Sequence, residues 1–577
     1  MGTTRTWDVF AGLAAFSRPD NEKYKDLAYI NTIIESLENN MRNPYVDKDV
    51  EDKKDYEDTK KQLEAFQSYM ETRKQEMDAK DGIRCNFFVV DELGEPLLAE
   101  IKIFSYIREE EKLWNTPILS IDINEIKRAI SFQRRITNSN GQLTMYLPKG
   151  KYEVVVTKGS EYELKKIVID ILDSEQEINI SLRRFIDLTK RNYYAGDLHH
   201  HSVYSSPLYG GTDFVIDNVK EVKQSMLAAG LSFGALSDHH NILNHAEWKE
   251  MKSENFTPII SKEISTSNGH VLALGVEEDI IYRYPTKEER CDEYLRGEFI
   301  RITDQIKSLH GLPQLNHPRD AQVATSFNPE YTDLIDIFET IEIWNGAYPF
   351  EFFTPNEEAF HLWLSLLEEG RYIPGTTGSD THDINCYILL SNLDKAIDFI
   401  DNVKKSYDLF SKEVKQMADI FFDLVMAALP TLIRWYRYNL SSGGVKTYLH
   451  LPEGELSKEA ILNQLRIGTS FLTNGPILIP TIKGKGPGES VQLSSKKLEF
   501  DIEILSNRKI KYLYLWKSRT DYERIKLPEK QKNEEGFYDY SDSFHIDNCE
   551  KSFIVFMVKD DCSCMAVTNP IFIKEDF

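Results

Sequence analysis

The sequence predicts an α/β protein: a central parallel α/β sheet or barrel, flanked by two β-sandwiches and preceded by a helical segment. Three features lead to this prediction. Strand-like and helical runs alternate in the middle of the chain, β-rich runs separated by turn residues lie on both sides of it, and helical spacing of apolar residues marks the N-terminal part. With 577 residues the chain is too long for one hydrophobic core, so several domains are expected.

The N-terminal part, residues 1–82, is predicted to be helical. Residues 21–80 are rich in Glu, Lys, Gln and Asp, and Leu63, Phe66 and Met70 follow one another at three- and four-residue spacing. Such spacing is typical of amphipathic helices. We expect a helical cap or hairpin; a coil that binds a partner is the alternative.

Residues 83–186 and residues 477–577 are each predicted to form a β-sandwich. The first segment has turn signals such as Asn140-Gly141 between strand-like runs at 86–90, 101–104, 142–146 and 152–156. The second has alternating runs at 498–504, 512–516 and 552–556. Neither segment contains a group of residues that indicates catalysis, so the function is expected to lie between them.

Residues 187–476 form the predicted α/β unit. Its runs alternate between strands and helices, with strands at 194–199, 233–236 and 340–344 and helices at 213–229 and around 301–309. In folds of this class the functional residues collect at the C-terminal ends of strands. We therefore expect the functional side chains there.

A mostly helical insertion interrupts this unit at about 385–443. It is very apolar and begins just after the last acid and histidine motif of the chain. This position predicts that the insertion covers the site. The alternative is that the insertion packs on the barrel or on a second subunit, which would make the protein a homo-oligomer.

Charge and composition exclude several classes of function. The formal net charge of −24 repels phosphate backbones, so general nucleic-acid binding is not expected. The six cysteines are scattered, which predicts free thiols. No signal peptide is recognisable, and the apolar stretch 417–433 contains Asp419, Asp423 and Pro430 and is too short to span a bilayer. These features predict a cytoplasmic protein without a membrane partner.

The segment 196–202 (GDLHHHS) is the strongest candidate for chemistry. On a strand, side chains two apart share a face, so His199 and His201 project together while His200 points away. Eleven of the thirteen histidines lie between His199 and His382. This predicts that a metal-binding pair at the end of the strand is completed by other residues of the same region.

Four further acid and histidine motifs follow at 237–241 (SDHHN), 262–270 (KE with GH seven residues after the acid), 316–319 (NHPR) and 378–382 (GSDTH). In the last of them Asp380 and His382 are again two residues apart. Mixed imidazole and carboxylate ligands suit Zn, Mn or Fe better than Mg or Ca, and the lack of cysteine ligands disfavours a structural zinc site.

The order of these motifs resembles that of the PHP (polymerase and histidinol phosphatase) superfamily of metal-dependent phosphoesterases, and within it the CehA/McbA-type branch. Segments 194–209, 341–346 (IEIWNG) and 473–476 (TNGP) also match that branch. The resemblance covers about residues 184–476. It implies a distorted seven-stranded (β/α)7 barrel with two or three divalent metal ions.

The resemblance also implies a set of eight metal ligands: His199, His201, Glu263 and Asp380 for a first ion, Glu263 with His270 and His317 for a second, and His239 and His382 for a third. Asp238 would orient an imidazole from behind. Glu342 and Asn345 would do likewise, or simply pack at the strand end.

One departure from the family pattern concerns the third ion. Many members place an Asp shortly after the first motif, whereas this chain has Ser206 at that position. Asp213 is a candidate to replace it; otherwise the third site is weak or empty. Two metal ions are therefore the firmer expectation.

A site of this kind predicts metal-assisted hydrolysis. Two nearby cations would activate a bridging water, whose hydroxide attacks in line with the leaving oxygen. Arg319 is predicted to bind a substrate phosphate through a bidentate contact, unless it pairs with Asp320. His240, next to the ligand His239, is a candidate donor or acid by position, and Asp238 completes the predicted catalytic group.

The sequence thus predicts a phosphoesterase acting on a small phosphorylated molecule or nucleotide. The same site would also suit hydrolysis of an ester, carbamate or amide, because a metal hydroxide attacks an activated carbonyl equally well. A third hypothesis is a non-catalytic scaffold that binds a partner.

Overall fold

The computed structural model describes residues 82–575, except for gaps at 207–208, 210–212, 214, 267, 284, 287–288, 321–324, 347–349, 351–353, 439–441, 494–496 and 547–551. The predicted N-terminal helices lie outside the described residues. Within the described part, no helix has the length and apolarity needed to cross a membrane.

The first described unit contains seven strands in two sheets, of order β4-β1-β7 and β3-β2-β5-β6. The strands are β1 Ile83–Val90, β2 Glu100–Ser105, β3 Phe132–Ile136, β4 Gln142–Leu147, β5 Gly150–Thr157, β6 Lys165–Ile171 and β7 Gln176–Ser181. Cys85, Phe87 and Val89 alternate onto the buried face of β1 and join residues of both sheets in one core. Helices α1 (Glu110–Trp114) and α2 (Ile123–Ile130) lie between β2 and β3.

A large mixed sheet follows. Its first strands are β8 Tyr193–Asp197, β9 Phe233–Leu236, β10 Thr257–Thr266, β11 Gly269–Leu274, β12 Leu312–Asn316, β13 Thr340–Asn345 and β14 Gly375–Gly378. The intervening helices are α3 Val219–Ala228, α4 His245–Glu250, α5 Asp292–Ser308 and α6 Pro355–Glu368. All residues of β9, β11 and β12 are buried, so the sheet is covered on both faces.

The predicted (β/α)7 barrel is wrong: the central strands belong to a mixed sheet of fifteen strands. Its strands run in the order β14-β13-β12-β11-β10-β9-β8-β15-β16 and continue into C-terminal strands. Strand β11 is antiparallel to β10, because the connection at 267–268 is far too short for the crossover that a parallel neighbour needs, and it is also antiparallel to β12. Strand β15 (Lys446–His450) is antiparallel to β8, and β16 (Ser470–Thr473) extends the sheet further.

The C-terminal strands form two sheets, one of which continues the large sheet. They are β17 Ile477–Thr481, β18 Ser490–Leu493, β19 Leu498–Ser506, β20 Ile510–Trp516, β21 Tyr522–Lys526, β22 Tyr538–Asp539, β23 Asp542–Ile546, β24 Ser552–Asp560, β25 Met565–Thr568 and β26 Ile571–Glu575. Strand β25 pairs with β16, which joins β18, β20, β21, β24 and β26 to the large sheet. A second sheet, formed by β17, β19, β22 and β23, shares one hydrophobic core with them.

The helical insertion packs on the first unit. Its helices α7 (Tyr387–Ser406) and α8 (Lys412–Tyr438) share a core with α2 and with side chains of β2, β3 and β5. Two ion pairs support this contact, since Lys127 Nζ lies 2.8 Å from Asp398 Oδ1 and Arg437 Nε lies 2.9 Å from Glu153 Oε1. After α8 the chain returns through β15 and helix α9 (Lys458–Ile467). The buried apolar side chains of the insertion are thus used for this contact, whereas Met417, Ile420 and Leu424 of α8 are exposed.

We expect that replacing Phe422 with alanine destabilises the protein by about 3–5 kcal/mol, because the ring is buried in the core between α8 and the first unit. Leu424→Ala is the matched control: this side chain is 54% exposed, and its loss should change stability by no more than about 0.5 kcal/mol. Urea denaturation measures both changes. Equal effects of the two substitutions would contradict the described packing of α8.

Candidate metal centre

Four ligand-type atoms meet beyond the C-terminal end of β8. His199 Nε2 lies 3.0 Å from Glu263 Oε2 and 3.3 Å from Asp380 Oδ1, and His201 Nε2 lies 3.3 Å and 3.1 Å from the same two oxygens. The two Nε2 atoms are 3.1 Å apart. All four side chains are buried. Residues from three distant parts of the sequence therefore form one compact cluster.

The backbone beyond β14 brings Asp380 to this cluster. Asp380 N donates a hydrogen bond to His199 O (2.8 Å), and His201 N donates to Thr381 O (3.1 Å). Gly378 allows the approach, because a Cβ at this position would lie 2.1 Å from the Cβ of His199. A glycine at the end of β14 is therefore a condition for the site.

Backbone strain marks three residues of the region. Asp380, His240 and His317 have positive φ angles of 50°, 61° and 25°, which non-glycine residues rarely adopt. Such conformations persist only where the surrounding structure enforces them, and they gather at functional sites.

The Nδ1 atoms of His199 and His201, which point away from the cluster, each lie near an atom that can accept a hydrogen bond. His199 Nδ1 lies 3.2 Å from Glu342 Oε1, and His201 Nδ1 lies 2.9 Å from Ser205 Oγ. Carboxylates face both ring nitrogens of His199, so the proton of a neutral ring would lie on Nδ1 when a cation occupies the Nε2 side. Its Nε2 then carries a lone pair that faces the carboxylate oxygens of the cluster.

Glu263 uses its second oxygen for another group. Oε1 lies 3.0 Å from His270 Nδ1 and 3.3 Å from His317 Nε2, and it accepts a hydrogen bond from Asn316 Nδ2 (2.9 Å). The Nδ1 atom of His317 is buried and has no hydrogen-bond partner among the described residues. Glu263 therefore lies between two groups of imidazoles, as a bridging ligand would.

A third group contains His239, His382 and Asp213. Asp213 Oδ2 lies 2.6 Å from His239 Nε2 and 3.0 Å from His382 Nε2. The predicted helix over 213–229 is wrong at its start: α3 begins at Val219, after the N-cap Asn218. Because Asp213 precedes the helix, its carboxylate reaches the two imidazoles. Asp213 thus places a carboxylate beside the imidazoles of His239 and His382, which the hydroxyl side chain of Ser206 cannot do.

The electrostatics of the cluster favour a cation. Burial by itself would raise the pKa of Glu263, but neighbouring imidazoles, His199 above all, hold this pKa well below its usual range. Burial by itself would lower the pKa of His201, but Asp380 and Glu263 raise it to about 9. By contrast, burial lowers the pKa of His200, which points away from the carboxylates, to about 3. The carboxylates of the cluster therefore stabilise positive charge on His201 but not on His200, whose ring points away from them.

Asp238, one of three residues predicted to act in catalysis, lies behind the cluster. Its oxygens accept hydrogen bonds from Ser202 N (2.7 Å), Ser202 Oγ (2.6 Å), Ser205 Oγ (2.7 Å) and Asn244 Nδ2 (2.5 Å). It therefore reaches the imidazole of His201 only through the hydroxyl of Ser205.

The other two predicted catalytic residues flank the cluster. Arg319 Nη1 donates to the carbonyls of Pro318 (3.1 Å) and Phe327 (3.3 Å), and the negative charge of Glu358 acts on its guanidinium. The ring of His240 is buried, and its centroid lies 5.8 Å from that of the His239 ring.

Sequence reasoning missed the supporting residues. Ser265 Oγ lies 2.9 Å from His239 Nδ1, and the buried carboxylate of Asp197 accepts hydrogen bonds from Ser379 N (2.9 Å) and Gly443 N (2.8 Å). Asp197 thereby ties the end of β8 to two loops around the cluster. Its place two residues before His199 was a usable signal, whereas serines are too common to stand out.

Comparison with known proteins gives no family for this chain. No family model matches it, and no curated protein matches it. Among solved structures, a mutant of the shaft pilin SpaA from Lactobacillus rhamnosus GG is 13% identical over 22% of this chain and 54% of that chain, with a TM-score of 0.14. The minor pilin GBS52 from Streptococcus agalactiae is 16% identical over 21% of this chain and 55% of that chain, with a TM-score of 0.13.

A calcium-binding mutant of β-glucuronidase 2 from Bacteroides uniformis is 8% identical over 86% of this chain and 58% of that chain, with a TM-score of 0.17. The chain therefore spans just over half the length of each of these structures. Similarities this weak carry no argument about fold or function.

Proposed function

We propose that this protein is a hydrolase that depends on divalent metal ions and cleaves a phosphate ester of a small molecule or nucleotide. The observation that carries the proposal is the cluster of buried imidazole and carboxylate groups around Glu263. His199 and His201 bring their Nε2 atoms within 3.1 Å of each other and within 3.3 Å of two carboxylate oxygens.

The donor set fits a metal ion. His382 Nδ1 lies 2.8 Å from the carbonyl oxygen of Asp380, an acceptor, so its Nε2 lone pair faces Asp213 Oδ2 at 3.0 Å. A lone pair and a carboxylate oxygen repel each other at this distance unless a proton or a cation lies between them. Imidazole and carboxylate without thiolate match Zn, Mn or Fe.

The proposed ligands form three groups: His199, His201, Glu263 and Asp380; Glu263, His270 and His317; and His239, His382 and Asp213. Bound ions would supply Lewis acidity toward a phosphoryl oxygen and lower the pKa of water. The motif order, which resembles that of the PHP superfamily, supports the same class of chemistry.

The residues of the chain itself would orient these ligands and the substrate. Glu342 holds the ring of His199, and it also accepts a hydrogen bond from His317 N (2.8 Å), so one carboxylate supports two of the groups. The guanidinium of Arg319 would bind a phosphate oxygen through N–H groups other than those of Nη1, which donates to the carbonyls of Pro318 and Phe327.

The test uses the purified protein with added Mn²⁺ or Zn²⁺ on p-nitrophenyl phosphate and p-nitrophenyl acetate. We expect hydrolysis of the phosphate ester, abolished by a chelator and restored by the ion. Hydrolysis of the acetate alone would overturn the choice of phosphate in favour of a carbonyl substrate. Failure to bind any ion would favour the scaffold hypothesis.

Replacing Arg319 with alanine is expected to raise KM for p-nitrophenyl phosphate by about 10- to 100-fold, the effect of losing a charged hydrogen bond. Arg319→Lys, which keeps the charge but not the two-pronged geometry, should lie between this variant and the wild type. Steady-state kinetics measure both. An unchanged KM in Arg319→Ala would show that this guanidinium does not bind the phosphate.

We also propose that the enzyme works in the cytoplasm. The five cysteines within the described residues, which are Cys85, Cys291, Cys386, Cys562 and Cys564, are free thiols. Free thiols are typical of a reducing compartment.

A further inference from the structure

We infer that Ser205 and Asp238 form a hydrogen-bonded relay that sets the metal-binding form of His201. This inference rests on the proposed function and adds to it two positioning residues, neither of which contacts a metal ion. The relay runs from Asp238 Oδ1 through Ser205 Oγ to His201 Nδ1, with distances of 2.7 Å and 2.9 Å.

The direction of each hydrogen bond in the relay follows from the groups present. Ser205 has one hydroxyl proton, and the carboxylate of Asp238 can only accept it. The backbone N–H of His239 donates to the same hydroxyl oxygen at 3.1 Å. The remaining lone pair of Ser205 Oγ must therefore accept from His201 Nδ1, so this nitrogen carries the proton.

The position of this proton determines what the opposite nitrogen of the His201 ring, Nε2, can offer to a metal ion. With its proton on Nδ1, a neutral His201 presents the lone pair of Nε2 to the oxygens of Glu263 and Asp380, which lie 3.3 Å and 3.1 Å away. The other tautomer would place a proton where a metal ion must bind. A hydroxyl backed by a buried carboxylate also raises the basicity of the ring, as acceptors behind ligand histidines do.

The same hydroxyl also fixes the relative position of two ligands. Ser205 Oγ contacts the side chain of His201 and the backbone of His239, which belong to different ligand groups. The Ser205 side chain is completely buried, so water does not compete for these hydrogen bonds. One serine therefore couples the first group to the third.

Ser202 offers a matched control. Its hydroxyl donates to the other oxygen of Asp238 at 2.6 Å, and it is as deeply buried as Ser205, but no imidazole side chain contacts it. Ser202→Ala and Ser205→Ala each remove one hydrogen bond to the same carboxylate. Only Ser205→Ala removes the acceptor of His201 Nδ1.

The experiment titrates Zn²⁺ into the full-length, chelator-treated protein by isothermal titration calorimetry. We expect Ser205→Ala to weaken the tightest Zn²⁺ site by about 10- to 100-fold, and Ser202→Ala to weaken it by less than about threefold. Ser205→Thr, which keeps the hydroxyl, should retain the affinity of the wild type. The melting temperatures of the chelated variants are measured as well, so that the loss of Zn²⁺ affinity can be compared with the loss of stability in each variant.

Equal Zn²⁺ affinity in Ser205→Ala and the wild type would overturn the relay, and so would an equal loss in both alanine variants, which would indicate a structural role. Failure of the wild type to bind Zn²⁺ would instead overturn the proposed function. The two failures are therefore distinguishable in one series of titrations.

Discussion

Replacing Glu263 with glutamine is expected to abolish binding of the first two metal ions and to lower kcat/KM for the phosphate ester by at least about 10³-fold, which corresponds to about 4 kcal/mol. Glu263 lies at the centre of the cluster. Its Oε2 faces His199 and His201, and its Oε1 faces His270 and His317. Glutamine keeps the size of the side chain but removes the negative charge and offers an amide to one of these groups.

The control for this substitution is Glu298→Gln. Glu298 is also a buried carboxyl group, with 4% exposure, but it lies on α5 outside the cluster. Elemental analysis and kinetics of both variants separate loss of the site from a general effect of replacing a buried carboxyl group with an amide. A Glu263→Gln protein that retains bound metal and activity would contradict the role of Glu263 as a bridge.

Replacing Asp380 with asparagine is expected to have the second largest effect, again about 10³-fold in kcat/KM. Asp380 Oδ1 lies within 3.3 Å of the Nε2 atoms of both His199 and His201, whereas its Oδ2 accepts a hydrogen bond from Asn345 Nδ2 (3.3 Å). The asparagine side chain can keep the hydrogen bond from Asn345. The substitution should therefore act mainly through loss of the charged oxygen that faces His199 and His201.

Asp213→Asn provides the contrast. The carboxylate of Asp213 contacts His239 and His382 of the third group, so its loss should weaken the third of the proposed metal sites and leave the first two in place. We expect a fall in activity of about tenfold, in contrast to the much larger effect at Asp380. Metal content and kinetics measure the difference. Equal effects of the two substitutions would contradict the division into separate groups.

The sequence predicts well those helices and strands whose bounds are marked by capping residues or by short apolar runs. Helix α9 runs from Lys458 to Ile467, with Ser457 accepting a hydrogen bond at its start and Gly468 in the left-handed region (φ 80°) at its end, and both residues are cap signals that the sequence displays. Strand β9 has the predicted bounds. Caps and short apolar runs are local properties that the sequence alone reveals.

The central sheet could not be predicted in the same way. Strand β14 has the sequence GTTG, which carries no strand pattern, and only its burial and its pairing with β13 make it a strand. The antiparallel course of β11 depends on the two-residue connection before it, and an alternating pattern of strands and helices hides this reversal. Sheet order is a tertiary property, so the barrel implied by family resemblance was wrong.

The proximity of the implied ligands was more predictable than the fold around them. The eight implied ligands all lie in the cluster, because histidines and acids near strand ends are distinctive in the sequence. The roles of Ser205 and Asp213 were not predictable to the same degree. The first depends on the direction of a hydroxyl group, and the second on where helix α3 begins.

The metal content of the full-length protein tests the central claim most directly. The protein would be incubated with Zn²⁺ or Mn²⁺, dialysed, and crystallised for anomalous diffraction at the absorption edge of the metal. The cluster predicts anomalous peaks on both sides of Glu263, one near His199, His201 and Asp380 and one near His270 and His317. A protein without bound metal, or with anomalous peaks remote from Glu263, would contradict the claim that this cluster binds metal ions.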